Sequence, residues 1–191
     1  MNNTMALQRD LTGSRGLDHI IGVLFFISAM ALGAYVRIPL PGTPVPMTLQ
    51  TLFVMLSGAI LGKRLGLASQ ASYIFLGVAG LPVFQGYGAG AAHLFGPTGG
   101  YLAGFALSSY LTGVLLKSDA AGPYKIAASF IAGAAAIYGC GIEWLMALYR
   151  IPFADAIRIG LIPFIAAETV KISAAAIIYR RVARRSKSIF S

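Results

Sequence analysis

Long apolar runs alternate with short polar or Gly/Pro-rich breaks along the chain, and neither the alternation of a half-buried strand nor the polar stripe of a surface helix interrupts them. Charge-poor segments fall at 17–36, 49–62, 65–83, 101–116, 126–148 and 159–179. A helix needs roughly 20 apolar residues to cross a bilayer. The pattern therefore predicts an all-α membrane protein, with six transmembrane helices in one compact bundle. That single membrane domain covers residues 1–191, with a polar N-terminal tail at 1–16 and a basic C-terminal tail at 180–191. The second run is short enough to be tilted or partly re-entrant, and the Gly/Pro-rich stretch 81–100 reads as irregular backbone that can dip into the membrane where protein surrounds it.

Composition sharpens this reading. Hydrophobic residues make up 57% of the 191 positions and charged ones 11%, far from the balance of a soluble domain. The formal net charge of +9 raises nucleic acid as a partner, but the basic residues gather on alternate connections. Arg9, Arg15, Lys63, Arg64, Lys117, Lys125, Arg180, Arg181, Arg184, Arg185 and Lys187 fall on one side; Arg37, Arg150 and Arg158 fall on the other. By the positive-inside rule both termini are cytoplasmic, the chain is a multi-pass protein of the cell membrane, and the terminal cluster meets anionic headgroups of the lipid bilayer. No nucleic-acid partner is expected. Cys140 is the only cysteine, which rules out an intramolecular disulfide and a thiolate metal set. The first sixteen residues lack the layout of a secretory signal, so the first span is expected to stay in the mature protein.

The connections on the outer side are the long ones. Residues 37–48 carry Pro39, Pro41, Pro44 and Pro46, which fix φ and favour stiff, extended backbone able to cap a site. Residues 81–100 carry six glycines, which permit turns and close approach to a ligand.

Lys171 and Glu168 break the last run. A charge at mid-bilayer depth costs several kcal/mol, so an intramembrane pair marks a functional site by default. Counting about 1.5 Å per residue inward from Arg180 puts Lys171 roughly 13 Å and Glu168 roughly 18 Å from the membrane edge. Their spacing of three places them on one helix face. A self-neutralising structural pair is the competing explanation, but a buried pair is weak evidence for stability. In the functional reading Lys171 supplies an ammonium to a ligand carboxylate and Glu168 accepts hydrogen bonds from ligand N–H groups. Thr48 and Gln50 after the proline loop, and Gln85, Tyr87, Thr98 and Tyr101 around the glycine loop, are candidates to converge on the same ligand.

Other chemistry is poorly represented. Gly58-Ala-Ile-Leu-Gly62-Lys63-Arg64 is one residue short of a phosphate-binding loop and has Arg where the hydroxyl belongs. Any ATP hydrolysis must come from partner chains. No nucleophile–base pair or metal set is evident, His19 and His93 lying near opposite faces, so no enzyme, metal site or cofactor is expected. Ala29 and Gly33 on the first span form a small-x-x-x-small pair suited to docking another helix, or equally to internal packing.

The run Pro44-Val-Pro-Met-Thr-Leu-Gln-Thr-Leu-Phe53, with Gly58-Ala-Ile-Leu-Gly62, Gly80-Leu-Pro-Val-Phe84 and Gly96-Pro-Thr-Gly-Gly-Tyr101, closely resembles the BioY family. The family comprises the biotin-binding S components of energy-coupling factor (ECF) transporters, and the likeness covers about residues 20–185. It implies a six-helix protein that captures biotin from outside and delivers it inward with a transmembrane coupling protein and paired ABC-type ATPases. It also implies that Ala167-Glu168-Thr-Val-Lys171 stands where the family has an acidic residue followed three positions later by lysine. Glu168 replaces the family's usual aspartate, and Ala167 its glycine. Biotin's carboxylate would meet Lys171 and its ureido N–H groups Glu168, while Ala29 and Gly33 would lie on the helix that meets the coupling protein. The remaining rival is an autonomous carrier in which protonation of Glu168 drives uptake of biotin or another small carboxylate; the lack of an evident inverted repeat argues against it.

Overall fold

The structure of the chain, a computed structural model, describes the backbone of residues 2–117 and 122–190 and the side chains of 16–117 and 122–183. The side chains of Arg9, Arg15, Arg184, Arg185 and Lys187, and residues 118–121 between Lys117 and Lys125, lie outside the described residues.

Among the described residues six α-helices carry the fold: α1 (Asn2–Tyr35), α2 (Gln50–Val78), α3 (Gly99–Leu115), α4 (Pro123–Tyr149), α5 (Phe153–Gly160) and α6 (Ile165–Phe190). Residues 2–16 continue α1 rather than forming a separate tail, and the basic terminus continues α6 to Phe190.

Gly62 folds α2 back on itself. Its φ of 80° and ψ of 173° are open to glycine and strained for other residues. A straight helix would hold Gln50 and Tyr73 about 34 Å apart, yet Gln50 Nε2 donates to Tyr73 Oη at 2.8 Å. The element is a hairpin of two antiparallel arms, 50–61 and 63–78, joined at Gly62 beside Lys63-Arg64, where the sequence predicts a connection. The arms close on each other where Gly58 and Gly66 meet, and a methyl on Gly58 would overlap the Ser109 carbonyl of α3. Around that contact lies a buried polar seam. Gln70 Nε2 donates to Ser57 Oγ at 3.0 Å, and Ser57 Oγ shares a hydrogen bond with Ser109 Oγ at 2.9 Å. Hydroxyls and small residues of this kind tie helices together where lipid offers no competing partner.

α3 sits in the middle, packed between α2 and α4. α4 starts at Pro123, whose missing N–H costs nothing in a first turn. It stops at Arg150, which adopts the left-handed conformation with φ 53°. The last predicted span, 159–179, is not continuous: the chain breaks between α5 and α6 at Leu161–Phe164. Pro163 has no N–H to continue the helical ladder. The proline loop is closed by a short antiparallel pair, β1 (Arg37–Ile38) with β2 (Met47–Thr48), in which Arg37 faces Thr48. The glycine loop forms two short 3-10 turns, Gln85–Tyr87 and Ala91–Phe95.

Among the described residues four segments are long and apolar enough to cross a membrane by length and composition: Gly16–Tyr35, Gln50–Val78, Pro123–Tyr149 and Phe153–Ala183. The α1 surface fits that role, with Leu17, Ile21, Leu24, Phe25 and Leu32 each more than half exposed. One apolar core surrounds Tyr73, Phe84, Tyr101 and Tyr138 near the two loops. A second, around Met55, Phe130 and Tyr179, lies toward the Gly62 turn.

Candidate functional site

Lys171 enters the bundle from the early part of α6 and is 7% exposed; Glu168, one turn before it, is 5% exposed. The Lys171 ammonium has three protons and three acceptors: Glu168 Oε2 at 2.9 Å, Thr51 Oγ1 at 2.9 Å and the Thr48 carbonyl at 3.0 Å. Thr51 receives the lysine and donates onward to Glu168 Oε2 at 3.0 Å, and Tyr138 of α4 donates to the same oxygen at 3.1 Å. One carboxylate oxygen thus gathers three donors from α2, α4 and α6. The other, Oε1, is buried without a partner among the described residues. An ion pair removed from water keeps both charges only when hydrogen bonds of this kind complete its shell.

Beside this cluster a cavity opens at the loop end of the bundle, lined by residues of both loops and of α2, α3, α4 and α6. Lys171, Thr51 and Tyr138 reach its wall, as do Thr48, Gln50, Gln85, Thr98 and Tyr101. Glu168 does not line it, so its predicted place on the wall is corrected: it is held by Lys171, Thr51 and Tyr138, which do. Tyr87 is also absent from the wall. It is 70% exposed, sits at φ 61°, and packs on Tyr35 with ring centres 4.6 Å apart.

The polar wall groups are fixed from behind. Tyr73 Oη donates to the Val83 carbonyl at 2.8 Å and accepts the Gln50 amide, while Thr48 Oγ1 donates to Gln50 Oε1 at 3.3 Å. Those bonds set the Gln50 amide orientation and leave one N–H and one acceptor direction of the amide uncommitted. Gln85 donates to Thr98 at 3.2 Å, and Tyr101 Oη to the Gly160 carbonyl at 2.7 Å. Trp144 Nε1 ties the glycine loop to α4 through the Gly96 carbonyl at 2.9 Å. The rest of the wall is apolar and aromatic, including Phe84, Phe105 and Phe164. His93, not among the residues expected at the site, reaches the cavity and stacks on Phe84 at 4.7 Å. Burial, and then the Arg37 charge, hold its imidazole below the ordinary histidine range.

Ala29 and Gly33 do not form an outward docking face. Both are buried, and a Cβ on Gly33 would come within 3.0 Å of the Phe53 ring and 3.3 Å of the Gln50 backbone nitrogen. Their small size lets α1 close on α2, so internal packing accounts for them.

A family model described as the BioY family matches residues 3–188. The chain belongs to the BioY family. Among its relatives is the biotin transporter BioY of Thermotoga maritima, 38% identical over 87% of this chain and 96% of that one. The probable biotin transporter BioY of Pyrococcus horikoshii is 36% identical over 84% and 93%. The crystal structure of an S-component for biotin from an ECF-type ABC transporter superposes with a TM-score of 0.80 at 25% identity, covering 96% of this chain and 95% of that one. As a BioY member with four long apolar segments, the chain is a membrane protein of a transporter family rather than of an enzyme family.

Three hydroxyl-bearing wall residues were missed from sequence: Thr51, Tyr73 and Tyr138. A single hydroxyl in an apolar helix costs far less to bury than a charge, so nothing in the sequence pattern set these three apart from other membrane-helix hydroxyls. In the BioY fold they hold the two charged residues and the Gln50 amide in place.

Proposed function

We propose that this chain is the membrane biotin-binding subunit of an ECF-type uptake transporter. One observation carries the proposal: a BioY-family bundle keeps a hydrogen-bonded ammonium on the wall of a mostly apolar cavity. Biotin matches that wall in kind, with a carboxylate for the ammonium, polar ureido groups for fixed amide and hydroxyl partners, and an apolar bicycle and tail for the aromatic lining.

Because all three Lys171 protons are engaged, an arriving carboxylate must displace an acceptor. The neutral Thr48 carbonyl is the natural one to yield, since a carboxylate adds the attraction of a full negative charge to the ammonium where a carbonyl offers only a dipole. Glu168 then holds the ammonium on its other side, from behind the wall. Gln50, Gln85, Thr98 and Tyr101 complete the polar contacts; Tyr87 serves the outer loop.

In this reading six segments cross the cell membrane: α1, the two arms of α2, α3, α4 and α6. Lys63 and Arg64 at the hairpin turn lie at the opposite end from the cavity, which agrees with cytoplasmic termini and an outward-facing site. The single family match over 3–188 supports one domain. The chain has no phosphate-binding loop of its own, so a transmembrane coupling protein and ABC-type ATPases supply the energy; α1 would meet the coupling protein through its exposed apolar stripe rather than through Ala29 and Gly33.

Reconstitution tests the proposal. In liposomes the purified chain should bind labelled biotin but accumulate it only with the coupling protein and ATPases plus ATP. Accumulation driven by a proton gradient in the chain alone would instead establish an autonomous carrier.

A further inference from the structure

Two cations flank the cavity, and they are placed differently. Lys171 lies within it, with every donor committed. Arg37 lies on the lip. It is exposed, its β1 position faces Thr48 across the strand pair, and Thr48 lines the cavity and touches Lys171. On the opposite lip the Arg37 guanidinium lies against Gly86, where even a methyl would come within 2.7 Å of its Nη1. Gly86 follows the wall residue Gln85, and the Arg37 charge is felt at His93, another wall residue. The guanidinium therefore bridges the mouth between the proline and glycine loops.

No described residue neutralises it. Asp155 pairs with Arg158 at 3.7 Å, Glu168 is taken by Lys171, and Arg37 has neither an ion-pair nor a hydrogen-bond partner among the described residues. An exposed guanidinium with uncommitted donors gains little for folding. Beside an entrance it raises the local concentration of anions.

We propose that Arg37 is an entry residue that steers the carboxylate of the ligand into the mouth of the cavity, with Lys171 as the cation of the bound state. The inference rests on the biotin-binding reading, and it separates two tasks that one lysine was expected to perform. Arg37 acts on the rate of arrival of negatively charged ligands and is silent toward neutral ones. Lys171 acts on how long the ligand stays.

The size of the effect follows from Coulomb's law. At about 10 Å in water, one unit charge changes the encounter rate of a monovalent anion by roughly twofold. Arg37→Gln should therefore slow biotin association about twofold at 10 mM salt, and Arg37→Glu, a change of two charges, about fourfold. In 1 M salt, where the screening length falls to about 3 Å, the variants should converge on wild type.

The test is rapid-mixing association of labelled biotin, and of its neutral amide, with the full-length chain in nanodiscs of uncharged lipid. The expected result is a salt-dependent loss of association rate for biotin alone, with dissociation rates unchanged. Three results would overturn steering: equal association rates in all variants; equal slowing of the amide, which would make Arg37 a support for the loops; or faster dissociation confined to biotin, which would place the guanidinium in the bound complex. Failure of wild type to bind biotin would instead refute the biotin reading itself, so the two failures are distinct.

Discussion

Replacing Lys171 with methionine keeps most of the side-chain volume and removes the ammonium. The structure specifies what is then left behind: the Glu168 carboxylate, 5% exposed, keeps Thr51 and Tyr138 as donors but loses its counter-charge, and the Thr48 carbonyl loses the ammonium. Breaking one partner of a buried pair typically costs about 3–5 kcal/mol. Lys171→Met and Glu168→Met should each destabilise the protein by that order, while the double variant, which removes both charges together, should be more stable than either single one. The coupling energy, measured by chemical unfolding in detergent or lipid, should be at least about 2 kcal/mol. The folded double variant also isolates function from stability. It should bind biotin at least tenfold more weakly than wild type, a loss of about 1.4 kcal/mol or more. Additive single effects would show that the two groups are not held against each other, and a double variant with full affinity would refute the site.

Tyr73→Phe should keep the edge-on ring contact with Phe84 while leaving the Gln50 amide and the Val83 carbonyl without their described partner; an unpaired buried group costs about 1–3 kcal/mol, and titration calorimetry should show weaker biotin binding. Gly58→Ala should lower thermal stability clearly, since the added methyl meets the Ser109 backbone and overpacking costs about 1–3 kcal/mol, whereas Gly139→Ala, with open space at that point, should leave the melting temperature nearly unchanged. His93 contributes a pH dependence of definite sign. Its folded-state pKa is depressed, so between the ordinary value near 6.5 and the lower folded value the unfolded chain binds more protons, and stability falls as pH is lowered through that window. Melting curves between pH 7.5 and 5 should show this loss for wild type and less of it for His93→Gln.

The sequence revealed what desolvation makes expensive and concealed what it makes cheap. The Lys171–Glu168 pair stood out because two charges interrupt an apolar run, and the helix limits stood out because few polar residues blur them. The break before α6 was hidden inside an apolar stretch: Pro163 signals it, yet membrane helices tolerate proline well enough that one span at 159–179 was an equally consistent reading. Small residues were ambiguous for a related reason. Ala29 and Gly33 let a neighbouring helix approach, and only the packing of Phe53 identifies that neighbour as α2 of the same chain. Glu168 and Lys171 looked equivalent by spacing, but hydrogen bonds from three helices hold the carboxylate off the wall and leave the ammonium on it. Tyr87 was read from its loop position, which says nothing about which way a residue at positive φ turns.

The central claim is that a carboxylate and a set of ureido N–H groups are recognised at separate parts of one cavity, the first by Lys171. Calorimetric titration of the purified chain with biotin, with its neutral amide, and with an analogue lacking the ureido N–H groups tests it most directly. Both analogues should bind wild type at least tenfold more weakly than biotin, and Lys171→Met should abolish the preference for biotin over the amide while keeping discrimination against the ureido analogue. An amide that binds wild type as tightly as biotin, or a Lys171→Met variant that still prefers the carboxylate, would contradict it.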